Sequence, residues 1–192
     1  MASGEPLSMR ALVVALSILG GASCSATADL GPVECQVGSG VTKFIPLADG
    51  SAVRIAAGPQ GGHHIWGGVI SHGLEPKQIT ARYTHTDPST GEVLGEVVDQ
   101  VELSPVSVGS ISGAVIPECP TTGFPEDAVA EAGAIPEDLS GWSVGLASTV
   151  YVSDDGSGTF PRFAGKTVRM TVELTDAEGR SCRSSRLVLP CF

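Results

Sequence analysis

Residues 166–174 read Lys166-Thr167-Val168-Arg169-Met170-Thr171-Val172-Glu173-Leu174 and alternate apolar with polar side chains along their whole length. Successive side chains of a β-strand point to opposite faces, so this period of two predicts a half-buried strand. A polar, glycine-containing turn follows at residues 175–180, and residues 184–190 return as the last strand. The end of the chain therefore predicts a β-hairpin whose core-facing residues are Val168, Met170, Val172 and Leu174.

The rest of the chain repeats this pattern in short runs separated by turn residues. The predicted strands before the hairpin lie at residues 41–47, 52–56, 64–71, 78–86, 92–103, 106–116 and 142–152. The turn at residues 87–91 joins two of them, and in the first of the two, one face carries Ile79, Ala81, Tyr83 and His85. With 25 Gly and 13 Pro and no long helical periodicity, the chain is predicted to be all-β. Eight to ten strands at this spacing favour a single immunoglobulin-like β-sandwich.

Two loops interrupt the strand pattern. Residues 117–141 are rich in Pro, Ala and Glu, and within them residues 125–133 carry the signals of one short helix. Residues 58–62 form a second, glycine-rich loop. Because binding residues concentrate on loops held by a rigid scaffold, these two loops are the expected contact surfaces.

The first 23 residues predict an export signal. Arg10 precedes a short apolar run at residues 11–19, and Met9 is the expected functional start because residues 1–8 are neutral to acidic. In residues 21–24, Ala22, Ser23 and Cys24 fit a lipobox, whereas Gly21 departs from the usual Leu. The favoured division is a signal at 1–23, a short tether at 24–32 and a β-sandwich domain at 33–192, with Cys24 lipidated. The alternative is cleavage after Ala28, which would release a secreted protein.

Cysteine number predicts disulfides. Processing before or after Cys24 removes that residue from the count, and four cysteines remain for an oxidising compartment: Cys35, Cys119, Cys182 and Cys191. Two bridges follow, with three connectivities open. A bridge between Cys35 and Cys191 would tie the two ends together, and Cys119 would then pair with Cys182.

Charge and motif content exclude several functions. The formal net charge is −10, from 21 acidic and 11 basic residues, which opposes binding to phosphate backbones, so no nucleic-acid partner is expected. Residues 109–113 superficially match a nucleophile elbow, but the central residue is Ile111 instead of serine. We expect no enzyme activity and no cofactor.

Four histidines give one candidate metal site. If residues 64–71 paired with residues 78–86, His85 would lie close to His64, and the two imidazoles could hold copper or zinc with a carboxylate such as Asp87. The competing interpretation is a buried strand whose Trp66 fills the core and whose histidines make local hydrogen bonds. A periplasmic metal-binding protein is therefore the alternative function.

The stretch from Gly58 to Gly68, which contains His63-His64-Ile65-Trp66, resembles sequences of predicted lipoproteins of myxobacteria-like soil bacteria. The turn at residues 176–180 fits this resemblance, which covers about a third of the mature chain. It implies an exported β-sandwich and no catalytic residue. The expected function is a non-catalytic binding or structural role at the cell envelope. The expected partners are the lipid bilayer, through an acyl anchor, and another envelope protein or surface ligand.

Overall fold

A computed structural model describes residues 31–57, 63–107, 109–112, 133–152 and 165–191, and for residues 146–152 it describes the backbone alone. These residues form ten β-strands and no helix, which confirms the all-β prediction. The strands are β1 (Glu34–Ser39), β2 (Ile45–Pro46), β3 (Ser51–Ala57), β4 (His63–His72), β5 (Ile79–Thr86), β6 (Val93–Val101), β7 (Ser104–Pro105), β8 (Trp142–Val152), β9 (Val168–Thr175) and β10 (Ser181–Cys191).

The strands form one mixed sheet in the order β2-β1-β4-β3-β10-β9-β5-β6, with β8 pairing β4 and β7 pairing β8. Strand β3 links the two halves. Its residues 55–57 pair antiparallel with β4, and its residues 51–54 pair parallel with β10. The sheet thereby forms two layers, one around β4 and one around β9, in a sandwich-like arrangement with the main core between them.

The hairpin predicted at residues 166–190 forms. Strand β9 pairs antiparallel with β10, and its four core-facing residues, Val168, Met170, Val172 and Leu174, are fully buried. On β5, the predicted inward face is likewise buried, at Ile79, Ala81, Tyr83 and His85. The alternation predicts these faces correctly because each strand has one layer of the core on one side and solvent on the other.

A second, smaller apolar cluster covers the outer face of β4. It contains the buried Phe44, Ile70, Trp142 and Val144. Phe44 joins it through an isolated bridge to Ile111 instead of through a full strand. The strands predicted at residues 41–47 and 106–116 are therefore wrong in extent: within the described parts of these segments only Ile45–Pro46 is a strand, and Ser104–Pro105 pairs with β8 just before the second segment.

One disulfide joins the two layers at the end where β1 begins. It links Cys35 on β1 to Cys182 on β10, with their Cα atoms 6.0 Å apart and 147 residues apart in sequence. Closing so long a loop stabilises a domain by about 2–4 kcal/mol. None of the described ranges contains a helix of the length and hydropathy that crossing a membrane requires.

Candidate functional site

A polar cleft of about 540 Å³ opens at one end of the β9 layer. Three segments build it: the start of β5, the end of β6 and the turn between β9 and β10. Its lining consists of Gln78, Thr80, Gln100, Val101, Glu102, Asp176 and Ala177. The volume lies within the range of small-molecule sites, and five of the seven lining residues carry an amide, a hydroxyl or a carboxylate, with apolar side-chain surface between these groups. The cleft therefore suits a small polar ligand that is neutral or cationic.

The carboxylate of Asp176 accepts several of the hydrogen bonds that hold this end of the domain together. The side chain is fully buried, and its oxygens accept hydrogen bonds from the backbone N–H groups of Glu75 (3.2 Å), Glu178 (3.0 Å) and Arg180 (2.9 Å). The guanidinium of Arg180 adds a bond from Nε and an ion pair from Nη2, both at 2.8 Å. Burial raises the pKa of Asp176, but the hydrogen bonds from Glu75 and Arg180 and the charge of Arg180 outweigh it and hold the pKa below its ordinary value. Asp176 thus holds the turn in place and has little capacity left for a ligand.

The other polar groups of the cleft lie on β5 and β6 or just beside them. The Nε2 group of Gln100 donates to the hydroxyl of Thr80 at 2.8 Å across the strand pair. Gln78, just before β5, is the one non-glycine residue with a left-handed backbone among those described (φ 56°). Such a backbone costs free energy and persists where the surrounding structure holds it. The amide of Gln78, the Thr80–Gln100 pair and the exposed carboxylate of Glu102 are the polar groups available to a ligand.

The cleft lies at the end of the domain where the chain enters. Glu34, the first residue of β1, pairs with His72, the last residue of β4. The connection from β4 to β5 is short, so β5 starts at this same end. The ring of His72 also lies 3.2 Å from the carbonyl of Pro32. The described part of the N-terminal segment, from Gly31 onward, thus reaches the domain at the end that carries the cleft.

The pairing on which the metal hypothesis depended is wrong. Strand β4 pairs with β1, β3 and β8, whereas β5 pairs with β6 and β9. On β4, Ile65 and Val69 face the main core, so the even-numbered His64 faces outward. His85 faces inward from the opposite layer, fully buried. The two imidazoles lie on opposite sides of the β4 layer and cannot bind one ion. Asp87, the proposed third ligand, instead accepts hydrogen bonds from Ser89 and Thr90 in its own turn.

The histidine motif on β4 builds a small outer-face contact instead. The His64 ring packs edge-on against the Trp66 ring, with centroids 4.8 Å apart. Burial, followed by the charge of neighbouring His63, lowers the pKa of His64. Trp66 is half-buried on this outer face and does not fill the core, which corrects the sequence-based expectation. Across the described ranges, no three His, Cys, Asp or Glu side chains come together as a metal site.

The cysteine prediction is corrected in its pairing. Cys35 pairs with Cys182, so the connectivity considered from the sequence, Cys35 with Cys191 and Cys119 with Cys182, does not form; the sequence had left three connectivities open. The reason is that β1 lies beside the end of β4 and the start of β10, whereas Cys191 lies at the far end of β10. Cys191 is also disulfide-bonded. Cys24 and Cys119 lie outside the described residues.

The two loops predicted as contact surfaces lie largely outside the described residues. Loop 58–62 lies wholly outside, as do residues 125–132 of the helix predicted at 125–133, and only residues 133–141 of the longer loop are described. The cleft is a surface that the sequence did not predict. Its one local signal is the Asp176-to-Arg180 turn, because an Asp at the start of a turn commonly binds the backbone that follows.

No protein-family model, curated protein or solved structure matches this chain.

Proposed function

We propose that this protein is exported, anchored to the cell envelope by lipidation of Cys24, and serves there in a non-catalytic binding role. The observation that carries this proposal is the Cys35–Cys182 bridge, together with the disulfide-bonded state of Cys191. Structural disulfides form and persist in oxidising compartments and are rare in the cytosol. This supports the export signal expected from residues 1–23.

The number of cysteines connects the bridges to the anchor. The chain has five cysteines, and one bridge accounts for Cys35 and Cys182. Within one chain, Cys191 must then bond to either Cys119 or Cys24. Lipidation requires the thiol of Cys24, so the proposal requires the Cys119–Cys191 bridge.

We also propose an immunoglobulin-like assignment of the strands. The pairing of β4 with β8 and of β8 with β7 follows the order of strands B, E and D, and the run β10-β9-β5-β6 follows G, F, C and C′. Two features differ from antibody domains. Tyr83 is the large buried aromatic on β5, where those domains carry a Trp, and the bridge joins β1 to β10 instead of B to F.

Anchoring at Cys24 would orient the domain. Six residues lie between Cys24 and Gly31, and the seven Cα–Cα steps that they create reach at most about 25 Å when fully extended. The end with the cleft would then face the membrane. This end carries the exposed acidic residues Glu34, Glu102 and Glu178 and one exposed lysine, Lys77, and Glu178 is ion-paired with Arg180. Anionic lipid headgroups repel the excess of carboxylates within a Debye length of about 8–10 Å. We infer that the domain stands off the bilayer and leaves the cleft open to a ligand or envelope partner from the side.

The anchor is tested by metabolic labelling with a palmitate analogue in a bacterial host. The wild-type chain should incorporate the label and sediment with membranes, and Cys24→Ser should lose both properties. The matched control Ser25→Ala should behave as wild type. A mature protein that begins at Asp29, or one that carries no label, would contradict the anchor and indicate secretion.

Disulfide mapping tests the same proposal independently. Mass spectrometry of the unreduced, proteolysed protein should find a peptide that links Cys119 to Cys191. A link between Cys24 and Cys191 would overturn the lipid anchor. Free thiols at Cys35 and Cys182 would overturn the export argument as well.

A further inference from the structure

His85 is a buried titratable group that the proposed binding function does not use. It lies on β5 and is fully buried. Among the residues that the structure describes, neither Nδ1 nor Nε2 has a hydrogen-bond partner. Buried polar groups are nearly always paired, so an unpaired imidazole in a core needs an explanation. Burial alone lowers the pKa of His85 from 6.5 to about 4.

The side chains on the strands beside His85 give its charged form no support. Its cross-strand neighbour on β9 is Met170, and the flanking inward residues of β9 are Val168 and Val172. On its own strand, the next inward residue is Tyr83. On β6, the nearest acidic group on the same face is Asp99, which pairs with Ala81, four residues along β5 from His85. No carboxylate described on these strands lies opposite the imidazole.

The pairing of β5 with β6 is irregular beside the His85 ring. The residue of β6 directly opposite His85 is Gly95, which has no side chain to cover it, and the register of the pair shifts between His85 and Thr86. Strand β6 ends the strand order of the sheet, and Val93 at its start is 56% exposed. Detachment of β6 from β5 is therefore the smallest structural change that would expose the His85 ring to water.

We propose that the β5–β6 hairpin is an acid-sensitive segment: protonation of His85 releases residues 93–97 of β6 from β5 and leaves the rest of the sandwich folded. The imidazolium cannot stay in the apolar core without a partner, and the opened hairpin lets water solvate it. Local opening of an edge strand exposes less apolar surface than global unfolding does, so acid favours it first. This inference concerns the fold of the domain and does not depend on the lipid anchor.

The expected effect follows from proton linkage. An imidazole in the open state titrates near 6.5 and in the closed state near 4. The ratio of open to closed hairpin should therefore rise on the order of 50- to 100-fold between pH 7.5 and pH 4.5.

Hydrogen exchange followed by mass spectrometry tests the proposal on the mature chain, with rates corrected for the pH dependence of intrinsic exchange. In the wild type, protection of residues 93–97 should fall by that factor at pH 4.5, while protection of β1 and β4 should not. His85→Leu and His85→Gln, which place an apolar and a neutral polar side chain at the site, should both abolish the change. The control His72→Gln, in the other layer, should retain it.

Three results would overturn the proposal. One is constant protection of β6 at both pH values in the wild type. Another is an acid loss of protection that persists in both His85 variants. The third is an equal loss over every strand, which would mean that acid acts on the whole domain and not on the hairpin.

Discussion

Two buried polar groups in the same layer of the sandwich, Asp176 and His85, have opposite environments. Asp176 accepts three backbone hydrogen bonds and is paired with the guanidinium of Arg180. His85 has no hydrogen-bond partner at either ring nitrogen within the described part of the chain. Both are buried, at 5% and 0% exposure. Both groups have lost their proton at neutral pH, but Asp176 is charged and His85 is neutral. The difference shows that a buried group of this fold carries a charge where partners stabilise the charge, and is neutral where they do not.

The two groups therefore respond to acid in different pH ranges. The pKa of Asp176 is lowered in the folded state, so its contribution to stability is complete above its ordinary pKa of 3.8 and is lost only as the pH falls further. The pKa of His85 is also lowered, and because histidine is a base, this means that the folded state favours the neutral imidazole. Stability linked to His85 is complete above 6.5 and is lost as the pH falls toward 4. Acid acts through His85 first.

The largest expected effect comes from removing the well-partnered group. Asp176→Ala leaves three backbone donors and the Arg180 guanidinium without their acceptor, and we expect the free energy of unfolding at pH 7 to fall by about 3–4 kcal/mol. Urea denaturation followed by tryptophan fluorescence measures it. The control Asp49→Ala removes an exposed turn carboxylate that accepts the backbone N–H of Leu187, and should cost about 1 kcal/mol. Equal losses in the two variants would break the comparison.

The next effect concerns the group without partners. Between pH 7 and pH 4 the wild-type domain should lose about 3 kcal/mol of unfolding free energy through His85, because each pKa unit corresponds to about 1.4 kcal/mol. His85→Leu should remove most of this loss. Denaturation curves at half-unit pH steps measure both slopes. A variant as acid-sensitive as the wild type would assign the loss to other groups.

A smaller effect tests how tightly the core around β5 is packed. A Cβ atom at Gly67 would lie 2.7 Å from the ring of Tyr83, which is too close for any real contact. Gly67→Ala should therefore cost about 1–3 kcal/mol by overpacking. The control Gly109→Ala has no atom within 4 Å of the added Cβ, and should change the midpoint of denaturation little. A neutral Gly67→Ala would mean that the β5 layer can shift.

The smallest effect belongs to the solvent-facing side of the same strands. Arg82 on β5 and Glu96 on β6 form an exposed ion pair at 3.2 Å. Because water and salt screen such pairs, Glu96→Gln should cost about 0.5 kcal/mol or less, and less still in 1 M salt. A loss comparable with that of Asp176→Ala would show that the exposed Arg82–Glu96 pair stabilises the domain as much as the buried Asp176–Arg180 pair does.

The local sequence pattern predicted where the strands lie and which face of each strand is buried better than it predicted which strands pair with each other. Val168, Met170, Val172 and Leu174 face the core as the period of two requires, and so does His85. The pairing of β4 with β5, which the metal hypothesis assumed, does not form, because which strands become neighbours depends on the packing of the whole sheet. The same reason explains why the spacing of Cys35 and Cys182 did not reveal their bridge.

The polar groups were harder to predict than the core. The sequence marked Asp176 as a turn residue, but its bond to the backbone of Glu75, 101 residues away, has no local signal. The left-handed backbone of Gln78 likewise follows from the tertiary position of the β4–β5 connection. Functional clefts assembled from distant segments are therefore the part of this protein that composition and periodicity predict least.

The most direct test of the difference between Asp176 and His85 is an NMR titration of the His85 imidazole through its ring ¹⁵N shifts in the mature domain. We predict that the ring keeps the shifts of a neutral imidazole from pH 7.5 down to pH 5. A midpoint at or above pH 6 would contradict the account, because it would mean that the charged ring is solvated or paired in the folded domain.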